Sequence, residues 1–261
     1  MTERQYVKLS KDDRVAIITV DNPPVNMLSE PVVTDLQSAL EEGWADDEVK
    51  VVVITGGGQI VFVAGADINV ILELGTPAEA KEILMQIHEF FQTIENSPKP
   101  IIAAINGHCL GAGLEMAMAC HMRIANNRAM FGHTEITLGI IPGFGGTQRL
   151  ARLVGKGKAL ELILTGDKIT GAEAASIGLV NKAVPGTEVM KTAVGLAKKI
   201  ASFGRPSITA AIEAVNEGLR VGLAEALEIE ADKFSSLVGT EDMREGLTAF
   251  LEKRQPKFRD K

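Results

Sequence analysis

Pro100-Ile101-Ile102-Ala103-Ala104-Ile105-Asn106-Gly107-His108-Cys109-Leu110-Gly111-Ala112-Gly113-Leu114-Glu115-Met116-Ala117-Met118-Ala119-Cys120 runs from an unbroken apolar stretch through a glycine-rich turn into a second apolar stretch that carries one carboxylate. The first part, Pro100 to Ile105, has the length and branching of a buried strand. The turn passes through Gly107, Gly111 and Gly113, and a helix follows from Leu114 to Cys120 with Glu115 in its first turn. A helix apolar on every side is buried, and an ionised carboxylate there is costly unless it is paired. Glu115 is then either satisfied by backbone donors or a hidden arginine, or held for proton transfer. The helix by itself leaves both readings open.

Downstream, Phe131-Gly132-His133-Thr134-Glu135 sets a second glutamate before the apolar run Ile136 to Ile141, which Pro142-Gly143-Phe144-Gly145-Gly146 closes. Alone, Glu135 reads as a capping or surface carboxylate. Together with Glu115, it reads as half of an acid/base pair that holds one water or moves a proton on and off one carbon. Glycines ahead of a helix free backbone N–H groups to point at a developing negative charge, and the helix dipole adds to them. That is the makeup of an oxyanion hole.

Working outward, Val15 to Val20 reads as a strand closed by Asp21-Asn22-Pro23-Pro24, and Ser29 is placed to cap a helix with Pro31 in its first turn. Lys50 to Ile54 is a second buried strand, ended by Gly56-Gly57-Gly58, which lacks the spacing of a dinucleotide fingerprint. A brief extended piece, Ile60 to Val63, leads into Ala64-Gly65-Ala66-Asp67, small enough for a ligand to lie against backbone, with Asp67 suited to cap the next segment. Helical spacing is predicted from about Ala78 to Glu95, then over Gly155 to Thr165 and Ala172 to Ile177, with a strand from Leu179 to Val184. From Glu188 onward the pattern is helical throughout: Val189 to Ala201, Pro206 to Leu219, Gly222 to Leu237 and Glu241 to Lys253. We therefore divide the chain into an α/β core over residues 1–187 and a helical region over 188–261.

The net charge of −7 argues against a nucleic-acid or anionic-membrane partner. No apolar run reaches membrane-spanning length, and the polar start Met1-Thr2-Glu3-Arg4-Gln5 has no signal core, so a cytoplasmic location is expected. Cys109 and Cys120 sit in apolar surroundings and read as packing residues. His88, His108, His121 and His133 have no metal-ligand spacing, so no metal is expected, and no Gly-x-Ser-x-Gly nucleophile motif is present.

Ala64-Gly65-Ala66-Asp67-Ile68, Ile102 to Gly107, Leu110-Gly111-Ala112-Gly113-Leu114-Glu115 and Ile140 to Leu150, in that order and spacing, resemble the crotonase (enoyl-CoA hydratase/isomerase) family. The resemblance extends through Gly166-Asp167-Lys168-Ile169, Ala172 to Asn181 and the C-terminal Gly246 to Arg254. It implies a spiral of ββα repeats with a C-terminal helical region that covers the site and builds a trimer, two trimers making a homo-hexamer. It implies reversible hydration of trans-2-enoyl-CoA, with Glu115 as base toward water, Glu135 as acid toward the α-carbon, and the N–H groups of Ala66 and Ala112 as the oxyanion hole. Coenzyme A enters as part of the thioester substrate, with no permanently bound cofactor. By the same resemblance Ala64, Gly65, Asp67, Ile68, Gly111 and Gly143 line the thioester site, and Phe234 and Lys253 approach the coenzyme A portion, Lys253 across a subunit interface.

The match has departures. Asn69 stands where many members carry Lys, Asn22 where many carry Arg, His133-Thr134 replaces the common Gln-Pro, and His121 replaces the usual Asp after Cys120. Family isomerases commonly lack a glutamate at the position of Glu115, so having both favours hydration. The alternatives are 3-enoyl-CoA isomerisation and a pathway-specific 3-hydroxyacyl-CoA dehydratase.

Overall fold

The computed structural model describes residues 4–73 and 75–261. Strand β1 (Val7–Asp12) pairs antiparallel with β2 (Val15–Val20) across the two-residue turn at Asp13 and Arg14. Helix α1 (Glu30–Ala45) then returns the chain to β3 (Val51–Gly56), which lies parallel to β2. From β3 the path repeats. One strand enters a first sheet, a short strand enters a second, and a helical segment comes after them.

The first repeat is β3, β4 (Val61–Ala64), then α2 (Ile68–Leu72) and α3 (Pro77–Glu95). The second is β5 (Ile101–Ile105), β6 (His108–Leu110) and α4 (Ala112–Ala119). The third is β7 (Met122–Asn126) and β8 (Met130–Gly132), then a 3-10 turn over Glu135–Leu138, α5 (Gly146–Val154) and α6 (Lys156–Thr165). Next come β9 (Ile169–Thr170), α7 (Gly171–Ser176) and β10 (Lys182–Val184). The first sheet has the order β1-β2-β3-β5-β7-β10 and the second β4-β6-β8-β9, so β3, β5 and β7 stack in one in the same sequence as β4, β6 and β8 in the other. This is the expected ββα spiral.

β5 is apolar at every position and β3 from Val51 to Ile54, because both their faces are covered. Val52, Ile54, Ile101, Ala103 and Ile105 point into a core shared with α1, α3 and α4. Their alternates Val51, Val53, Ile102 and Ala104 meet Val189, Ala193, Ala197 and Ala201 of α8 (Val189–Ala201). Helices α9 (Arg205–Gly218), α10 (Leu223–Ser236) and α11 (Glu241–Glu252) complete the chain.

Several sequence expectations shift. Ser29 occupies the N-cap of α1 but its side chain makes no capping bond. One of the two amides it would serve belongs to Pro31, which has no N–H. Thr76 instead makes a full capping box with Glu79 on α3. The strand expected from Leu179 begins only at Lys182, because the amides of Leu179 and Val180 are both spent on the Ala174 carbonyl at the end of α7. Several elements, among them β1, β6, β7, β8, β9 and α5, have no counterpart in the sequence reading. β1 is largely solvent-facing, and α5 starts directly out of the glycine-rich Pro142–Gly145 loop and ends at Gly155.

Candidate active site

The ends of the second sheet's strands are stitched edge to edge. Leu28 N–H donates to the Gly65 carbonyl (3.1 Å), Gly65 N–H to Leu110 (3.0 Å) and Gly111 N–H to Gly132 (3.0 Å). The residues just past β4, β6 and β8 are thereby gathered on one side of the molecule. Gly113 tightens the arrangement: a Cβ there would stand 2.1 Å from the Val63 carbonyl oxygen, so α4 can press its first turn onto β4 only with glycine at this position. Gly111, at φ +51°, supplies the bend that turns β6 into α4. Its carbonyl accepts from the N–H groups of Leu114 and Glu115. The N–H groups of Ala66 and Ala112 donate to no carbonyl among the described residues, as befits a loop after a strand and the first residue of a helix.

Glu115 is 2% exposed. Its Oε1 accepts the N–H of Phe144 (2.7 Å) and of Gly146 (2.7 Å), so the loop that closes the apolar run Ile136 to Ile141 supplies the donors that satisfy it. The buried carboxylate is therefore satisfied by backbone donors rather than by a hidden arginine. One oxygen is anchored by backbone, and Oε2 has no protein donor among the described residues. Burial lifts the Glu115 pKa to about 7, and the nearby Glu135 adds to the rise, while His133 and the two N–H donors work against it. A group titrating near neutrality is suited to taking up and releasing a proton.

Glu135 opens the 3-10 turn, three residues past β8. Its Oε1 lies 3.1 Å from where a Cβ on Gly111 would stand, and that same point is 3.6 Å from the Gly65 Cα. The carboxylate thus sits against the two loop glycines that precede Ala66 and Ala112. Its Oε1 is 3.6 Å from His133 Nδ1, and its Oε2 is buried without a protein partner. Glu115, Glu135, Ala66, Ala112, Gly65 and Gly111 therefore share one neighbourhood, built from three successive turns of the spiral.

The remaining expected residues divide. Ala64 ends β4 and leads into the loop. Asp67 caps α2, accepting from the Asn69 N–H (2.9 Å) and Asn69 Nδ2 (3.0 Å), and Ile68 is exposed beside it. Gly143 lies under α3, where a Cβ would be 3.0 Å from Leu84 Cδ2. Phe234 is 71% exposed on α10, which packs chiefly on α9, and Lys253 follows α11 in the left-handed conformation. Neither forms a hydrogen bond or ion pair with the carboxylate neighbourhood of its own chain. No group of three or more His, Cys, Asp or Glu that could hold a metal occurs among the described residues.

Three residues outside the expected set support the site. Asn26 is buried and donates through Nδ2 to the carbonyls of Gly57, Val61 and Phe62, tying the Asn22–Met27 turn to both ends of the β3–β4 connection. Arg149 joins the Phe144 carbonyl (3.1 Å) to Glu95 of α3 (3.0 Å), which fixes the loop whose amides hold Glu115. His133 is 1% exposed and lies near both carboxylates. A lone arginine in Thr147-Gln148-Arg149-Leu150 and the two asparagines around Pro23-Pro24 were the available signals.

Residues 10–261 match the family model described as enoyl-CoA hydratase/isomerase. The chain belongs to the enoyl-CoA hydratase/isomerase family. It is 42% identical over 254 residues to a short-chain-enoyl-CoA hydratase of Clostridium acetobutylicum, covering 97% of each chain. It is also 42% identical over 255 residues to a crotonyl-CoA hydratase of Syntrophomonas wolfei, covering 97% of this chain and 98% of that one. Among solved structures of the family, an enoyl-CoA hydratase from Bacillus anthracis superposes with a TM-score of 0.93 at 38% identity, covering 98% of this chain and all of the other.

Proposed function

We propose that this chain adds water reversibly across the double bond of a trans-2-enoyl-CoA to give the 3-hydroxyacyl-CoA. The observation that carries the reading is that Glu135 sits against the loop glycines preceding the free N–H groups of Ala66 and Ala112, with the buried Glu115 carboxylate nearby. Water is a poor nucleophile and the enoyl β-carbon a weak electrophile. Each therefore needs help. In the proposed mechanism the thioester oxygen accepts from the Ala66 and Ala112 N–H groups. Glu115 takes a proton from water as the water oxygen bonds to the β-carbon. The double-bond electrons move toward the thioester, whose oxygen gains the charge that the two N–H groups offset, a contribution of about 3–4 kcal/mol per donor in comparable sites. Glu135 delivers a proton to the α-carbon, which restores the carbonyl.

On this reading residues 1–187 carry the chemistry and 188–261 assemble the subunits. Leu219, Phe234, Phe250 and Leu251 are large, apolar and exposed on or beside α9, α10 and α11, as helices that pack against other copies would be. A homo-hexamer with Phe234 and Lys253 offered toward coenzyme A across subunits goes with this reading, as does a cytoplasmic location. The activity is tested by incubating the protein with crotonyl-CoA and weighing the product. Gain of one water is expected. An unchanged mass with a relocated double bond would instead assign the chain to the isomerases.

A further inference from the structure

Three of the four histidines have ordinary positions. His108 Nδ1 accepts the Met130 N–H (3.0 Å), His121 Nδ1 accepts the Ile101 N–H at the start of β5 (2.9 Å), and His88 is only partly buried beside Arg149. His133 differs from them. It is 1% exposed, and neither ring nitrogen has a hydrogen-bond partner among the described residues. A buried imidazole without partners costs free energy, and such groups in folded proteins call for an explanation. The nearest acceptor is Glu135 Oε1, 3.6 Å from Nδ1. The adjoining ring carbon is near Glu115: a Cβ on Gly146 would lie 2.7 Å from His133 Cε1 and 2.9 Å from Glu115 Oε1. The imidazole therefore neighbours both carboxylates.

The charged groups around it are few. Glu115 faces it from α4 and Glu135 from its own turn. The Pro142–Gly146 loop presents backbone and the Pro142 ring. Arg149 of α5 is committed to Glu95 and the Phe144 carbonyl, and Lys168 packs its aliphatic stem over Gly132.

Resting on the hydratase reading above, we propose that His133 is a positioning residue for the carboxylate pair: its ring, with Nδ1 3.6 Å from Glu135 Oε1, keeps that carboxylate against Gly111 and faces Glu115 as well. Among the influences on Glu115 that favour ionisation, the charge of His133 is the largest. Removing the ring takes that influence away and lets Glu115 keep its proton to higher pH. The acid limb of kcat/KM then moves upward, with the alkaline side unaffected by the lost charge.

The test compares the wild type with His133→Gln, which keeps an N–H donor but does not titrate, and His133→Leu, which does neither. Crotonyl-CoA hydration is followed across pH, and Glu115→Gln and Glu135→Gln serve as controls. In His133→Leu kcat is expected to fall by about 10²-fold with KM little changed, as for a displaced catalytic group. In His133→Gln kcat is expected to stay near the wild-type value at alkaline pH while the acid limb shifts to higher pH. A wild-type profile and rate in both variants, with the two glutamate controls inactive, would overturn the proposal and leave the hydratase reading standing. Should His133→Leu fail to fold, the pH profile of His133→Gln decides alone. Active glutamate controls would instead remove the hydratase reading and this inference with it.

Discussion

The Glu115 carboxyl is enclosed by apolar side chains on a helix whose eight residues are all buried, and that burial is what brings its pKa from 4.5 to about 7. A folded-state pKa raised above the unfolded value means that the native chain binds the proton more tightly between those two pH values. Stability from this group is therefore greatest at low pH and is lost as pH rises through about 7. Above that, keeping Glu115 ionised costs the fold up to roughly 3 kcal/mol. Glu115→Gln retains an oxygen for the Phe144 and Gly146 amides and carries no charge. It should raise Tm above the wild type by several degrees at about pH 8, with the gap closing toward about pH 5, as measured by calorimetry in both buffers. The glutamates themselves were legible in the sequence because a carboxylate stands out against apolar runs. Their partners were not. A backbone N–H is the same in every residue, so nothing in the side-chain pattern marks Phe144 and Gly146 as the donors. The position of His133 depends on how a loop twenty residues after α4 folds back over it.

At the scale of elements, what could be read was whatever burial dictates. β3 and β5 announce themselves because both faces are covered, and α8 because its alanines and Val189 fall on one face against the sheet. Elements fixed by local bonding were harder to bound. α7 captures the Leu179 and Val180 amides and delays β10, and α5 starts directly out of a glycine-rich loop. The glycine-rich turns were recognisable as special, yet their purpose lies in contacts between repeats. Gly113 is needed because Val63, fifty residues earlier, occupies the space a side chain would take. That approach sets the first turn of α4, and with it Ala112 and Glu115, beside the end of β4 and the Ala66 loop. The spiral thus brings together groups from three repeats, while each repeat alone supplies one strand end and one loop.

For the molecule as a whole, the single chain leaves large apolar side chains uncovered, with Leu219, Phe250 and Leu251 each at least four-fifths exposed. If 188–261 assembles a dimer of trimers, sedimentation equilibrium should return about six chain masses. A monomer would contradict the assembly and with it the intersubunit roles of Phe234 and Lys253. Such contacts were beyond reach of the sequence, since one chain records only that a side chain is apolar and does not say what it meets. The catalytic account is tested most directly by the rate at which the conjugated absorbance of crotonyl-CoA disappears with the wild type, Glu115→Gln and Glu135→Gln. The account predicts rapid loss with the wild type and a fall of about 10²-fold or more in each variant, since each glutamate moves a proton that the other does not. A folded variant that hydrates at the wild-type rate, or a wild type that binds the thioester and leaves its absorbance unchanged, would contradict it.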